Sequence, residues 1–514
     1  MKIKILALFL AMLMLLSLVA CNDNSKNDSG ETTAATDGTG EPSTGSTETT
    51  GTQKETDETT EEITTEASPL GCRLPTVNYG DVEFKLHMRP DDRYISAIVI
   101  ENLGVKPTSV ERAVYERMVY IEETYGLKFG VQRAVDYKDS TISELSAAAK
   151  SEPDDIDLFG AHGYFVPWTL AINGCLYEWH DLELIDLEAS YWNQNAREQF
   201  STPGGKLFFM VGDMSYLTVG TAFSMFFNKE ILEDIPNLES PYELVRRDEW
   251  TFEMFEYYVT TADANMNGDS SGTMETDSFG YMTAATRGPV CAIQSAGYPL
   301  LSRDDSSSVH YKANVKRDIV VQAVGDYIDL VLNSGSAYYF QTSEDKTPVH
   351  TAFINGQAAF YDDEVDYAGT WTKSGMSFGV LPWPKYSDDV DTYTSLVDAG
   401  NDSFGLLINT TEENAEKISI VLENLAYYGS RDVMPLYYET ILSYQYLKDE
   451  DSIEMLGYIH ETLSFDFGYY YGPGGLTGLP SNAVTDGASS LSTLYSRIEG
   501  QVLSDLRDWC ALDK

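Results

Sequence analysis

Three stretches of the 514-residue chain have residue types and spacings that belong to chemical sites. Asp263, Asn265, Asn267 and Asp269 stand at alternating positions, with Gly268 at the sixth place, where an EF-hand-type calcium loop turns sharply. The twelfth place is Met274 instead of a bidentate carboxylate, and Glu275 takes that role only in a loop one residue longer. Calcium held there would be structural, and a solvated polar turn accounts for the same residues equally well. Gly375-Met376-Ser377-Phe378-Gly379 matches the GxSxG turn that lifts a nucleophilic serine between a strand and a helix. Pro382 and Pro384 fall where that helix would begin its second turn and would remove its hydrogen bonds, so a serine nucleophile is not expected. Gly472-Pro473-Gly474-Gly475 lacks the lysine of a phosphate cradle.

The remaining chemistry-bearing residues are scattered. His87, His162, His180, His310, His350 and His460 form neither HExxH nor a close pair, which argues against zinc. Carboxylates are so numerous that the acid pair of a glycosidase is not excluded by counting. The 34 Lys and Arg against 81 Asp and Glu give a net charge of −47, which repels phosphate backbones and sets nucleic acid aside as a partner. With 43% hydrophobic and 12% aromatic residues the chain can build a sizeable core, and its length allows about two to four domains.

The first residues differ in kind from the rest. Lys2 and Lys4 precede an apolar run from Ile5 to Leu16, too short for a membrane span of ~20 residues but suited to a secretory leader over 1–20. Leu18-Val19-Ala20-Cys21 resembles the bacterial lipobox, which makes Cys21 the expected lipidated N-terminus. Residues 21–70 are rich in Thr and Glu and contain no Phe, Trp or Tyr, so they bury too little to offset chain entropy and are expected to be a disordered tether. As a flexible coil it spans ~40 Å. Cys72, Cys175, Cys291 and Cys510 show no metal-type spacing, and their spacing leaves disulfide pairing open.

From about residue 78 the chain alternates short apolar strands with amphipathic helices, which argues for an α/β fold. Phe84, Leu86 and Met88 alternate like a strand; Ile156–Phe159, Leu207–Val211 and Phe223–Phe227 read as buried strands. Thr108 with Glu111 forms a capping box, and Val110, Val114, Met118, Ile121 and Tyr125 line one helical face that ends at Gly126. Thr410 with Glu413 is expected to cap a second long helix ending at Gly429.

Fragments in a particular order carry a resemblance. Asp157-Leu158-Phe159-Gly160-Ala161-His162-Gly163 runs on to Gly174-Cys175-Leu176 and Asp181-Leu182. Gly204-Gly205-Lys206-Leu207-Phe208, Gly212-Asp213, Phe226-Phe227-Asn228-Lys229, Trp250-Thr251 and Asn267-Gly268-Asp269 follow. Phe353-Ile354-Asn355-Gly356-Gln357, Phe378-Gly379-Val380-Leu381-Pro382 and Met434-Pro435-Leu436-Tyr437-Tyr438 complete the series. In this order the chain resembles the bacterial extracellular solute-binding proteins of family 1, which include maltose-binding protein and feed ABC importers.

The resemblance implies a two-lobed periplasmic-binding-protein-like fold of type II over residues 71–514, its discontinuous lobes joined by a hinge. Lobe one would comprise about 78–213 and 403–465, and lobe two about 214–402 and 466–514. It implies a monomeric, lipid-anchored protein on the outer face of the cytoplasmic membrane, without a catalytic site or cofactor, that passes a small-molecule ligand, most simply a sugar, to ABC permease subunits. A peptide or cationic solute, or a secreted hydrolase or adhesin, are the competing readings. Because ligands in open α/β sheets sit beyond the carboxyl ends of strands, the candidate ligand residues are Arg89, Asp91, His162, Tyr164 and Asp213 from lobe one. Arg287, Asp362 and Glu364 are the candidates from lobe two, with Trp371 and Trp383 as stacking planes for sugar rings.

Overall fold

The computed structural model describes residues 74–151, 153, 155–263, 277–284, 287–340, 346–442, 450–486 and 491–514. The leader, Cys21, the tether and Cys72 lie outside these residues, as do Asn265, Asn267, Asp269 and Glu275; of the expected calcium ligands Asp263 alone is described, as the residue that ends helix Phe252–Ala262.

Two five-stranded sheets carry the fold. The first orders β2-β1-β3-β13-β4, from β1 (Val82–Met88), β2 (Leu127–Arg133), β3 (Leu158–His162), β4 (Phe209–Met210) and β13 (Asp402–Gly405). The second orders β11-β5-β10-β6-β9, from β5 (Phe223–Asn228), β6 (Phe279–Ala284), β9 (Ala337–Phe340), β10 (Ala358–Glu364) and β11 (Phe378–Leu381). A hairpin joins β7 (Leu301–Arg303) to β8 (Tyr311–Ala313), and β12 (Ser395–Leu396) pairs in parallel with β14 (Leu463–Ser464).

The sheets repeat one plan. In each, three parallel strands (β2, β1, β3 and β9, β6, β10) stand beside one antiparallel strand that has crossed from the other lobe, β13 in the first and β5 in the second. No repeat is visible in the sequence, because strand order is set by sheet geometry and not by residue identity. β5, β6 and β10 are buried on both faces, so their apolar residues do not alternate with polar ones, and β10 carries Asp362, Asp363 and Glu364 inside as well.

Local signals in the sequence explain the flanking elements. Thr108 accepts from the Glu111 amide (3.1 Å) while the Glu111 carboxylate takes the Thr108 amide, and helix Ser109–Tyr125 ends at Gly126, whose φ of 61° suits glycine. The second long helix starts one residue later than expected: Thr411 is the cap and accepts from the Asn414 amide. Gly429 does not end it. The chain stays helical through Leu442, and Gly429 is needed because any Cβ there would strike the backbone oxygen of Asp213. Ser377 precedes β11 instead of following a strand, the wrong side for a nucleophile turn.

Two segments sit differently from the expected lobe boundaries. Helix Glu450–Glu461, placed with lobe one by sequence order, packs on β11 of the second sheet. There Tyr242 Oη and Ser452 Oγ are 2.7 Å apart and Arg246 meets Glu454 at 2.7 Å. The C-terminal stretch, expected in lobe two, touches both lobes: helix Leu491–Cys510 packs on helix Asp318–Ile328, while Trp509 meets Trp168 at 5.0 Å and Asp513 accepts from the Gly204 amide at 2.7 Å. Among the described residues no helix is long and apolar enough to cross a membrane, and Cys175, Cys291 and Cys510 are free thiols.

Candidate functional site

The carboxyl ends of β1 and β3 place four of the expected residues on one lip. Arg89, just past β1, donates from Nη1 to Gly400 O (2.6 Å) and Asp402 Oδ1 (3.3 Å) and lies 4.0 Å from the Tyr94 ring centre. Asp91 caps helix Asp92–Ile98 by accepting from the Arg93 amide at 3.0 Å. His162 closes β3 opposite Asp402, and its Nδ1 accepts from the Tyr164 amide at 3.3 Å. Burial, then the nearby Arg89 charge, push its pKa down to about 3, so the ring is neutral at physiological pH.

The loop after β3 is pinned to the second crossing segment. Gly163 donates to Asn401 O (2.8 Å) and Tyr164 to Ala399 O (2.7 Å), while Trp168 Nε1 holds Gly163 O at 2.9 Å. Phe165 has φ 77° and ψ −52°, and the Val166 amide donates to Tyr164 O at 3.1 Å, which is the rare, strained form of the γ-turn. Strain of this kind persists where surrounding contacts over-determine it, as these do. Beside the loop lies a cavity of about 380 Å³ lined by Phe165, Trp168, Tyr471, Gly472 to Gly475, Gln501 and Asp505.

The opposite lip is a chain of buried charges at the carboxyl end of β10. Arg287 Nη2 reaches Asp363 Oδ1 (2.8 Å) and Glu364 Oε1 (2.9 Å), and Asp363 Oδ2 also receives Tyr361 Oη (3.0 Å) and meets His350 Nε2 (2.9 Å). Burial pushes the Asp363 pKa up, but Arg287 and His350 outweigh it and hold the carboxyl ionised. Asp362 is fully buried; Tyr281 Oη donates to its Oδ1 at 2.8 Å, and burial raises its pKa to about 6.

Arg93 joins the two lips. It rides on the lobe-one helix Asp92–Ile98 and forms ion pairs with Glu364 (3.1 Å) and Asp366 (2.9 Å) of lobe two. Glu364 is therefore shared between an arginine from each lobe.

Arg89, Asp91, His162 and Tyr164 thus gather on one side, and Arg287, Asp362 and Glu364 on the other. Asp213 sits apart from both sets at the first crossing, with His460 Nε2 3.6 Å from its Oδ1. Burial lowers the His460 pKa, but the hydrogen bond and charge of Asp213 prevail and raise it. The expected stacking planes are core residues: Trp371 is 0% exposed among Phe226, Phe353, Tyr361 and His350, and Trp383 is 2% exposed. An apolar ring packed inside lobe two has no face to offer a solute. Sequence reasoning missed Arg93 and Asp366, and the acidic run 362–364 followed by Asp366 is the one signal for the second.

No protein-family model matches the sequence, and no curated protein matches it. Solved structures share its architecture. The ABC substrate-binding protein Lmo0181 from Listeria monocytogenes, in complex with cycloalternan, is 14% identical and aligns over 83% of this chain and 99% of that one with a TM-score of 0.53. UgpB from Mycobacterium tuberculosis, in complex with glycerophosphocholine, is 14% identical over 83% of this chain and 98% of that one, with a TM-score of 0.54. UspC from the same organism is 12% identical over 82% and 100%, also with a TM-score of 0.54. At such identities the likeness establishes the fold: this chain has the two-lobed architecture of the extracellular solute-binding proteins.

Proposed function

We propose that this protein is a lipid-anchored, extracytoplasmic solute-binding protein that captures a carbohydrate between its lobes and delivers it to the permease of an ABC importer. The observation that carries the reading is the meeting of strand carboxyl ends from two sheets, the place where open α/β sheets bind ligands. A sugar needs both hydrogen-bond donors and acceptors for its hydroxyls and flat rings for its apolar faces. Arg89, Arg287, Asp398 and Glu364 supply the first, and Tyr137 and Tyr164 the second. Tyr137 is more than half exposed and lies 5.4 Å from the His162 ring.

Binding without turnover is the reading here: none of these groups forms a nucleophile–base pair, and the neutral His162 accepts from a backbone amide. The leader and the residues up to the lipobox favour export and anchoring at Cys21, with a tether long enough for the folded part to reach a permease. Calcium in the loop from Asp263 to Glu275 is proposed as a structural ion only.

A melting-temperature panel of mono- and oligosaccharides, peptides and amines tests the reading. A saccharide at 100 times its Kd adds ~2.7 kcal/mol to folding stability, so a matching sugar raises the midpoint by several degrees. A rise with peptides or amines and none with sugars would move the protein to another solute class. Release of reducing sugar from an oligosaccharide would make it a hydrolase.

A further inference from the structure

The charge chain at the carboxyl end of β10 holds hydrogen-bonding capacity that the protein itself does not use. Arg287 is 2% exposed; its Nη2 serves Asp363 and Glu364, but Nε and Nη1 have no hydrogen-bond partner. A buried donor without a partner carries its full desolvation cost, and native structures keep such a group where something else completes it.

Two charged groups stand near Arg287. Lys346 lies 5.9 Å from the Tyr367 ring, which His350, the partner of Asp363, meets at 4.8 Å, and its ammonium makes no hydrogen bond or ion pair among the described residues. Burial and then Arg287 lower its pKa, while Asp363, Glu364 and Asp398 act in the opposite sense, so all five groups share one field. Asp398 stands on the crossing segment just before β13, where its amide donates to Thr221 O at 2.9 Å, two residues from Phe223, over whose ring the Arg287 guanidinium lies at 5.5 Å. Its Oδ1 accepts from the Gly400 amide at 2.5 Å, and no described cation lies within ion-pair distance. Burial and then Glu364 raise its pKa, with Arg287 opposing.

The charges of this cluster restrict what can join it. Arg93, Arg287 and Lys346 face Asp363, Glu364, Asp366 and Asp398, an excess of one negative charge. An anionic group would meet the unpaired Asp398, and a cationic group would meet Arg287 and Lys346. A neutral group that both donates and accepts satisfies each of the unused positions.

We propose that Arg287, Lys346 and Asp398 form a subsite that reads a pair of adjacent, uncharged hydroxyls on the solute. The two cations donate to hydroxyl oxygens and Asp398 accepts a hydroxyl hydrogen. The subsite rests on the carbohydrate reading and narrows it: the sugar unit held here is neutral, neither an amino sugar nor a uronic acid. Lys346 and Asp398 act as specificity residues, since the hydroxyls replace interactions that no other group in the cleft provides.

The test uses the full-length protein, its Lys346→Met and Asp398→Asn variants, and a panel of neutral oligosaccharides beside their glucosamine and galacturonic acid counterparts. Neutral members should bind, and the charged counterparts should bind at least tenfold more weakly. Titration with the tightest neutral member should show each variant weakened five- to hundredfold, with the melting temperature of the empty protein within about a degree of wild type. If the neutral sugar binds both variants within twofold of wild type, or if the charged counterparts bind as tightly, the subsite is wrong and the carbohydrate reading stands. If no saccharide binds the wild type, both fall together. Should a variant melt well below wild type, the ranking of charged and neutral sugars on the wild type decides alone.

Discussion

The two lips of the cleft spend their polar groups differently. On lobe one, Arg89 holds Gly400 O and Asp402, the amides of Gly163 and Tyr164 hold Asn401 O and Ala399 O, and Asp91 caps a helix. These bonds run to the hinge, so the lip moves with the crossing segment. On lobe two, Arg287, Asp363 and His350 form a buried ion chain within a single lobe. Both lips keep buried polar atoms without a partner, Arg287 Nε and Nη1 on lobe two and Arg89 Nε and Asp402 Oδ2 on lobe one, so one lip is tied to the hinge, the other is braced within its own lobe, and each can meet a solute.

Removing the cation of the lobe-two chain should have the largest effect. Arg287→Met leaves Asp363 and Glu364 buried beside one fewer charge, a loss that costs about 3–5 kcal/mol when a buried pair is broken. Arg89→Met should cost less, about 1–3 kcal/mol, because Asp402 has a pKa raised to about 6 by burial and can protonate when its partner leaves. Urea denaturation of both variants measures the difference, and equal losses would erase the distinction between the lips.

Next in size is a pH effect at Asp362 of lobe two. Asp362 has a folded pKa of about 6 against an ordinary 3.8, so the folded state binds the extra proton between those values. Its contribution is therefore most favourable below about pH 4, falls as pH rises through the window, and reaches its full cost above 6. Asp362→Asn, a permanently neutral mimic, should stabilise the protein at pH 7 by on the order of 1–3 kcal/mol and give no gain at pH 4. On lobe one Asp402, also raised to about 6 by burial, adds a loss over the same window, whereas His162, with its pKa near 3, stays neutral from pH 5 to 8 and should itself give solute affinity no pH dependence there. An affinity that steps near pH 6.5 and loses the step in His162→Gln would contradict this.

Smallest in stability is the bond between the lips. Arg93 is 31% exposed on its side chain, so solvent screening leaves Arg93→Ala a cost below about 1 kcal/mol. Its effect should appear in shape instead, as a larger radius of gyration in solution scattering. An unchanged curve would mean that the lobes are held by other contacts.

What the sequence disclosed was local. The capping box at Thr108 and Glu111 and the buried strands depend on residues a few positions apart, and the structure has them. Burial was less legible. Trp371 and Trp383 have the composition of a sugar platform, yet whether an aromatic ring faces a cleft or a core depends on the pairing of distant strands. Arg93 and Glu364 are 271 residues apart, and their contact exists only because two sheets close on one another. Lys346 and Asp398 went unseen for the same reason: neither lies in a motif, and only the fold brings them near Arg287.

The most direct test of an interlobe site is the affinity of one saccharide, chosen by the melting panel, for wild type and for one variant from each lip. Tyr164→Ala represents lobe one and Lys346→Met lobe two. A solute held between the lobes should bind both variants at least fivefold more weakly, with unchanged melting of the empty proteins. If one variant loses affinity and the other binds within twofold of wild type, the solute sits on a single lobe and the account of a shared cleft is wrong.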